Sequence, residues 1–369
     1  MKAIALLYSP KSIYDFIWYY STYGKKFEWT AICGWYGVSN ASLELCKKTG
    51  IFEDVIWVEQ RYDTLNTASK IKEFLKMFWY YITGRKSKYC DDVIRNCIGD
   101  IEYERAVVWN SHSILFGAVI SKSKEKDIVI LEDGTADYIK KDLKYLLHNL
   151  TNINEIVGFM MAKMDYANPM MGYSMKSFKN CIKFNGQPER VPCDRYKEVR
   201  LLGDKTETDL ELYEDVVYKT FNIEREKMSG DVIIFTAPLY EQLANSDDCI
   251  CRVEEFINEK YKGKKVILKK HPRDTIKYTF KEVAEIVEVE HNIPGEVLLS
   301  YLEVKDVYFF WTCSLLFTGD RVLENAKVFF FKDSMEVVGP QKRIGTCYGD
   351  TIRKDLDNAG ISEDVLIYL

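Results

Sequence analysis

Lys265-Val266-Ile267-Leu268-Lys269-Lys270-His271-Pro272-Arg273 reads as a β-rich apolar run that stops at two lysines, a histidine and a proline. In an open α/β sheet, ligands bind in the crevice beyond the carboxyl ends of the strands. Lys269, Lys270 and His271 therefore stand where a ligand is met, and their cationic character suits an anion such as a phosphate. Of the chain's four histidines, only His271 sits where a strand pattern stops. A counterpart lies upstream at Ile130-Leu131-Glu132-Asp133-Gly134, where a second apolar run ends in two carboxylates and a glycine. The two strand ends are expected to face each other across a cleft.

Working outward, strands alternate with helices along most of the chain. Residues 3–9 form a continuous apolar run, the mark of a strand buried on both faces of a parallel sheet. A helix pattern through Ile13, Phe16, Ile17 and Tyr20 follows. Further strands are expected at 29–35, 54–59, 105–110 and 127–131, then at 231–235, 265–269, 284–289, 306–310 and 327–331. Helical patterns fall at 42–48, 67–83, 138–150, 208–221, 251–261, 297–302 and 314–325, and the tail 350–369 is expected to be helical. Alternation of this kind specifies βαβ units and a mainly parallel sheet. Two such blocks of similar size give two Rossmann-like domains, residues 1–200 and 201–349, with the tail behind them. Residues 151–200 are the least regular stretch and collect six methionines. Methionine fills irregular gaps and adaptable surfaces, so the segment reads as a lid, a dimer contact or the domain crossover.

The 369 residues are 47% hydrophobic and 29% charged, as in a soluble globular protein. A net charge of −5 argues against general nucleic-acid binding. The aromatic content, with 25 tyrosines, 19 phenylalanines and 7 tryptophans, builds rigid cores and suits sugar-binding walls. The first apolar run is too short for a signal peptide, and no run approaches the ~18 residues needed to span a bilayer. The ten cysteines are accordingly read as free thiols of a reducing cytoplasm. Residues 70–88 carry six basic side chains and one acid among aromatics. This stretch is either a core-packed helix with a solvated basic rim or a peripheral contact with the inner membrane surface.

The candidate chemistry sits at strand ends. A carboxylate at Glu132 or Asp133 can serve as general base towards a hydroxyl, although Asp-Gly is also a common turn. His271 can stabilise a phosphate leaving group, or be a half-exposed histidine with an ordinary hydrogen bond. Lys269 precedes it, Pro272 follows it, and Thr236 ends the strand at 231–235; all three are expected to bind the nucleotide. Thr312-Cys313-Ser314 lies between a strand and a helix, where hydroxyls cap the helix and its N-terminus accepts phosphate. Glu296, in Pro294-Gly295-Glu296, is placed in a first helical turn, as a dipole partner or a ribose ligand. No Asp-X-Asp marks a metal at a candidate donor site.

Taken in order, Glu132-Asp133-Gly134, Lys269-X-His271-Pro272, Pro294-X-Glu296 and Thr312-X-Ser314 resemble the motifs of the bacterial sialyltransferases. Leu131-Glu132-Asp133-Gly134-Thr135-Ala136-Asp137-Tyr138 and Lys269-Lys270-His271-Pro272-Arg273 look most like glycosyltransferase family 52, which includes the lipooligosaccharide sialyltransferases. The resemblance covers about residues 127–320. It implies a GT-B fold, with the acceptor on the first domain and the nucleotide on the second. It implies inverting, metal-independent transfer of sialic acid from CMP-sialic acid to a terminal sugar of a bacterial surface glycan, such as lipooligosaccharide or capsule. Galactose is the acceptor expected. Asp133 is then the base, with Glu132 the alternative, and His271, as a positive histidine, assists departure of CMP. Pro272 shapes the nucleotide pocket, Glu296 holds the ribose, and Thr312 and Ser314 bind the phosphate. No cofactor is expected besides the donor substrate. A GT-B enzyme using a UDP-sugar, or a non-catalytic nucleotide- or carbohydrate-binding protein, are the alternatives.

Overall fold

The computed structural model describes residues 1–34, 41–58, 67–109, 114–132, 177–191, 193–223, 229–302, 304–311, 325–338 and 347–369. They form two compact units, Met1–Asn222 and Ile223–Leu369.

The first unit is built on a seven-stranded sheet, each strand parallel to its neighbours. Its strands are β1 (Lys2–Leu7), β2 (Glu28–Gly34), β3 (Asp54–Val58), β4 (Arg105–Val108), β5 (Asp127–Ile130), β6 (Ile182–Asn185) and β7 (Glu198–Leu201), in the order β3-β2-β1-β4-β5-β6-β7. Ala3–Leu7 are buried, so β1 takes the centre. Helix α1 (Pro10–Tyr19) starts at once because Ser9 caps it. The Ser9 hydroxyl accepts the Ser12 N–H at 3.1 Å, and Ser12 Oγ returns a bond to the same cap residue. Such a cap contributes about 1 kcal/mol. Helices α2 (Ala41–Thr49), α3 (Thr67–Ile82), α4 (Lys86–Ile98) and α5 (Ile114–Ser121) follow in chain order.

Helix α6 (Leu210–Phe221) comes after the last strand of this sheet, yet belongs to the same unit. Tyr213 stacks on Trp18 with ring centroids 3.8 Å apart, and its hydroxyl donates to that of Tyr14 at 3.0 Å. The boundary expected at 200/201 thus falls at Asn222, where a left-handed residue (φ 48°) caps the helix. Hydrophobic aromatic contacts, invisible to a reading of alternation, tie α6 to the front of the chain.

The second unit holds β8 (Val232–Phe235), β9 (Lys265–Lys269), β10 (Glu285–Glu288), β11 (Asp306–Phe309), β12 (Ala326–Phe330) and β13 (Leu366–Tyr368), all parallel, in the order β10-β9-β8-β11-β12-β13. Its described helices include α7 (Leu239–Gln242), α8 (Ser246–Lys260), α9 (Gly295–Tyr301) and α10 (Tyr348–Ala359). Within each unit the first six strands repeat one doubly wound order, with the strand direction of progress reversing beside the first strand. These are two Rossmann-like α/β units, as expected.

Two expectations need correction. The tail is not helical throughout: Gly360, at φ 64°, ends α10, and Leu366–Tyr368 pair with β12 as the sheet's edge. The end of the irregular stretch 151–200 also holds sheet, since β6 and β7 extend the first unit beyond β5. Residues 133–176, with the methionine-rich part, lie outside the described residues.

Candidate active site

His271 lies two residues beyond the end of β9, and Thr236 one residue beyond β8, its neighbour in the sheet. Thr236 N–H donates to the Lys269 carbonyl at 3.1 Å, extending the ladder by one rung. The Thr236 hydroxyl then accepts the His271 N–H at 3.1 Å and donates to Asp274. Asp274 is buried and also accepts the Tyr278 hydroxyl at 2.7 Å and the Ile276 N–H at 3.0 Å. The turn is closed by the Asp274 N–H on the His271 carbonyl at 2.8 Å. On its outer side Tyr240 donates to the Arg273 carbonyl, and Arg273 pairs with Glu241 at 2.6 Å. Pro272, between these ties, is exposed.

This network sets the chemistry of the imidazole. His271 Nδ1 accepts the Arg273 N–H at 3.1 Å. In the neutral ring the proton therefore resides on Nε2, which is left as a donor. Burial, and then the Arg273 guanidinium, push the His271 pKa down to about 4; Asp274 opposes them, and Lys269 and His291 push weakly the same way. A lowered pKa favours the neutral imidazole near pH 7, whereas the resemblance implied a positive one. Its surroundings are already cationic, and part of the ring has lost its water.

Lys269 is the last residue of β9 and is buried. Its Nζ donates to the Glu290 carbonyl at 2.8 Å. Burial lowers its pKa to about 8, against the opposing charges of Glu296 and Glu290. Glu296 occupies the first turn of α9, half-buried, within electrostatic reach of Lys269. Thr236, Lys269 and His271 are thus drawn together at one sheet edge, with Glu296 beside Lys269. Thr312 and Ser314 lie outside the described residues.

In the first unit, Glu132 lies two residues beyond β5 and is only 3% exposed. Its Oε2 accepts the Gly186 N–H at 2.9 Å, from the turn after β6. A side chain at 186 would meet that oxygen at 3.1 Å, so the position favours glycine. Oε1 is buried and has no hydrogen-bond partner among the described residues. Just before it, the fully buried Lys183 donates from Nζ to the Leu131 carbonyl at 2.6 Å. Asp133 lies outside the described residues.

Asp274, Tyr278 and Tyr240 escaped the sequence reading. The signal available was an aspartate three residues after the histidine, inside a loop, and nothing local announces that such a loop is buried. Among the described residues no group of three or more His, Cys, Asp or Glu is arranged to hold a metal ion. The nine cysteines among them are free thiols. No helix among them is long and apolar enough to cross a membrane.

Comparisons with known proteins bear on this geometry. A family model described as alpha-2,8-polysialyltransferase matches residues 4–329. Among solved structures, the α/β-galactoside α-2,3-sialyltransferase of the luminous marine bacterium Photobacterium phosphoreum superposes with a TM-score of 0.52 at 12% identity, covering 100% of this chain and 98% of that one. That likeness supports the fold. A UDP-N-acetylglucosamine 2-epimerase from Rickettsia bellii reaches a TM-score of 0.44 at 11% identity, over 92% of this chain and 80% of that one. No curated protein sequence matches. The family match bears out the sialyltransferase resemblance. Its description names α-2,8-polysialyl transfer, where the sequence motifs pointed to the lipooligosaccharide branch.

Proposed function

The chain belongs to the alpha-2,8-polysialyltransferase family, and from that premise we propose that it is an inverting, metal-independent enzyme that moves sialic acid from CMP-sialic acid to a glycan. The observation that carries the reading is His271. It is a neutral imidazole with Nδ1 occupied and Nε2–H as donor, at the carboxyl end of a central strand in a Rossmann-type unit.

In the proposed step the acceptor hydroxyl oxygen attacks the anomeric carbon of the sialyl group. The bond from that carbon to the phosphate oxygen breaks, and its electron pair leaves with CMP. The hydroxyl proton passes to the Asp133 carboxylate. His271 Nε2–H donates to the departing phosphate, whose charge raises the histidine's affinity for a proton as the bond breaks. Thr236 and Asp274 position His271 rather than touch substrate. Glu296 holds the ribose, Lys269 and Pro272 shape the nucleotide pocket, and Thr312 and Ser314 bind the phosphate. Burial of Glu132 and its bond to Gly186 support an anchoring role for it, which favours Asp133 as the base.

The acceptor divides two readings. The motif resemblance points to galactose on a lipooligosaccharide or capsular glycan. The family description favours a terminal sialic acid.

Calorimetric titration with CMP, and with UDP as control, is the first test; CMP is expected to bind preferentially without added metal. Transfer from CMP-sialic acid is then assayed on galactose- and sialic-acid-terminated oligosaccharides, with and without EDTA. Preferential UDP binding would overturn the donor assignment, and a loss on EDTA reversed by Mg²⁺ would overturn the metal-free mechanism.

A further inference from the structure

We propose that the outer face of α3 is a docking surface for an anionic lipid bilayer. Leu75, Trp79 and Ile82 recur at spacings of four and three, which sets them on one stripe of the helix. They are 57%, 61% and 56% exposed. The inner face is already satisfied: Met77 is buried, and Tyr80 packs on Tyr89 of α4 with ring centroids 5.7 Å apart. Of the other exposed large apolar residues, Leu201, Tyr240, Ile286 and Tyr368 each stand on a separate element, and Leu210 and Tyr218 lie eight residues apart on α6. Single residues of that kind are ordinary. Three on one stripe of one helix make a patch.

Charge identifies the occupant. Lys72 and Lys76, both exposed, follow the stripe along its flank, and Arg85 and Lys88 are exposed just past the helix end. Lys76 also lies 5.7 Å from the Tyr89 ring centre. Among the described side chains nearby, Asp91 is engaged by Lys122 at 2.8 Å and Asp92 by the Tyr80 hydroxyl at 3.4 Å. A locally basic stretch in a chain of net charge −5 is complementary to anionic headgroups. An indole between aliphatic side chains settles at the headgroup level, and lysine stems let the ammonium groups reach lipid phosphates. With 16 residues, α3 lies on the surface rather than spanning it. The stretch read from the sequence as either a core-packed helix or a membrane contact does both, one on each face.

The test is flotation of the full chain with vesicles of phosphatidylcholine alone or mixed with phosphatidylglycerol. Binding is expected only to the anionic vesicles, weakening as salt is raised. Lys72→Glu and Lys76→Glu should each weaken it about fivefold or more. Leu75→Ser with Trp79→Ser should weaken it more than about tenfold. As a fold-neutral check, brominated acyl chains should quench tryptophan emission less in Trp79→Phe than in the unaltered protein. Absence of binding, equal binding to neutral vesicles, or variants that bind undiminished would each overturn the proposal. So would a dimer that Trp79→Ser dissolves without any effect of vesicles, because the face would then belong to a second copy.

Discussion

At the end of β9, His271 is tied through Thr236 to a buried Asp274 that satisfies two hydroxyls and one amide. At the end of β5, Glu132 has one oxygen tied to Gly186 and the other buried, with no partner among the described residues. Both edges carry polar groups where parallel strands stop. One is a closed network that holds an imidazole in a single tautomer. The other is a buried carboxylate held, among the described residues, through one oxygen. The contrast follows the chemistry proposed for each side. A leaving group is met by a donor that must not move, and a preorganised donor costs no rearrangement during reaction. A buried carboxylate anchored to a neighbouring turn suits a side that braces the residue proposed to receive the hydroxyl proton.

The largest effects expected would test that division directly. His271→Ala and Asp133→Ala should each lower transfer more than about 100-fold, with CMP affinity nearly kept in Asp133→Ala. Unchanged transfer by Asp133→Ala together with loss in Glu132→Gln would move the base to Glu132 and overturn its anchoring role. Next in size is a stability difference measured by urea unfolding. Asp274→Asn should cost about 2–3 kcal/mol by leaving buried donors unpaired. Glu132→Gln should stay within about 1 kcal/mol, since the amide oxygen can still accept the Gly186 N–H.

The pH dependence of folding sharpens the picture further. With its pKa lowered to about 4 in the folded protein, His271 binds its proton more weakly than in the unfolded chain, where it titrates near 6.5. Its contribution is present above pH ~6.5 and is lost progressively as the pH falls towards 4. The loss is at most about 3 kcal/mol, and His271→Gln should remove that part of the slope. The smallest effect is expected of Tyr278→Phe, about 1 kcal/mol in unfolding, with transfer changed less than in Asp274→Asn.

The sheets were legible where strands are apolar on both faces, as in Val232–Phe235 and β1. Strands β6 and β7 were hidden because their sequences, Ile-Lys-Phe-Asn and Glu-Val-Arg-Leu, look like surface. Lys183 is nonetheless fully buried against a carbonyl, and Glu198 is paired with Arg200 at 2.7 Å within its own strand. Helix α5 was missed for the opposite reason: Ile-Leu-Phe-Gly-Ala-Val-Ile-Ser is apolar all round and has no helical period to detect. The strand-end positions of His271, Thr236 and Glu132 were readable from punctuation alone. The charge state of His271 was not, because it depends on how deeply a loop is covered and on which cations fold beside it.

The contact of α6 with α1 has a bearing on how the chain reaches this structure. Tyr14 and Tyr213 are separated by 199 residues. At ribosomal speed, roughly 10 to 40 s pass between their syntheses. Throughout that interval Tyr14 and Trp18 lack the ring that later covers them, and the nascent chain presents an aromatic patch it cannot yet close. Late, long-range closure of this kind slows folding and invites association. The first half of the protein is therefore the part with most need of a chaperone before its own last helix arrives.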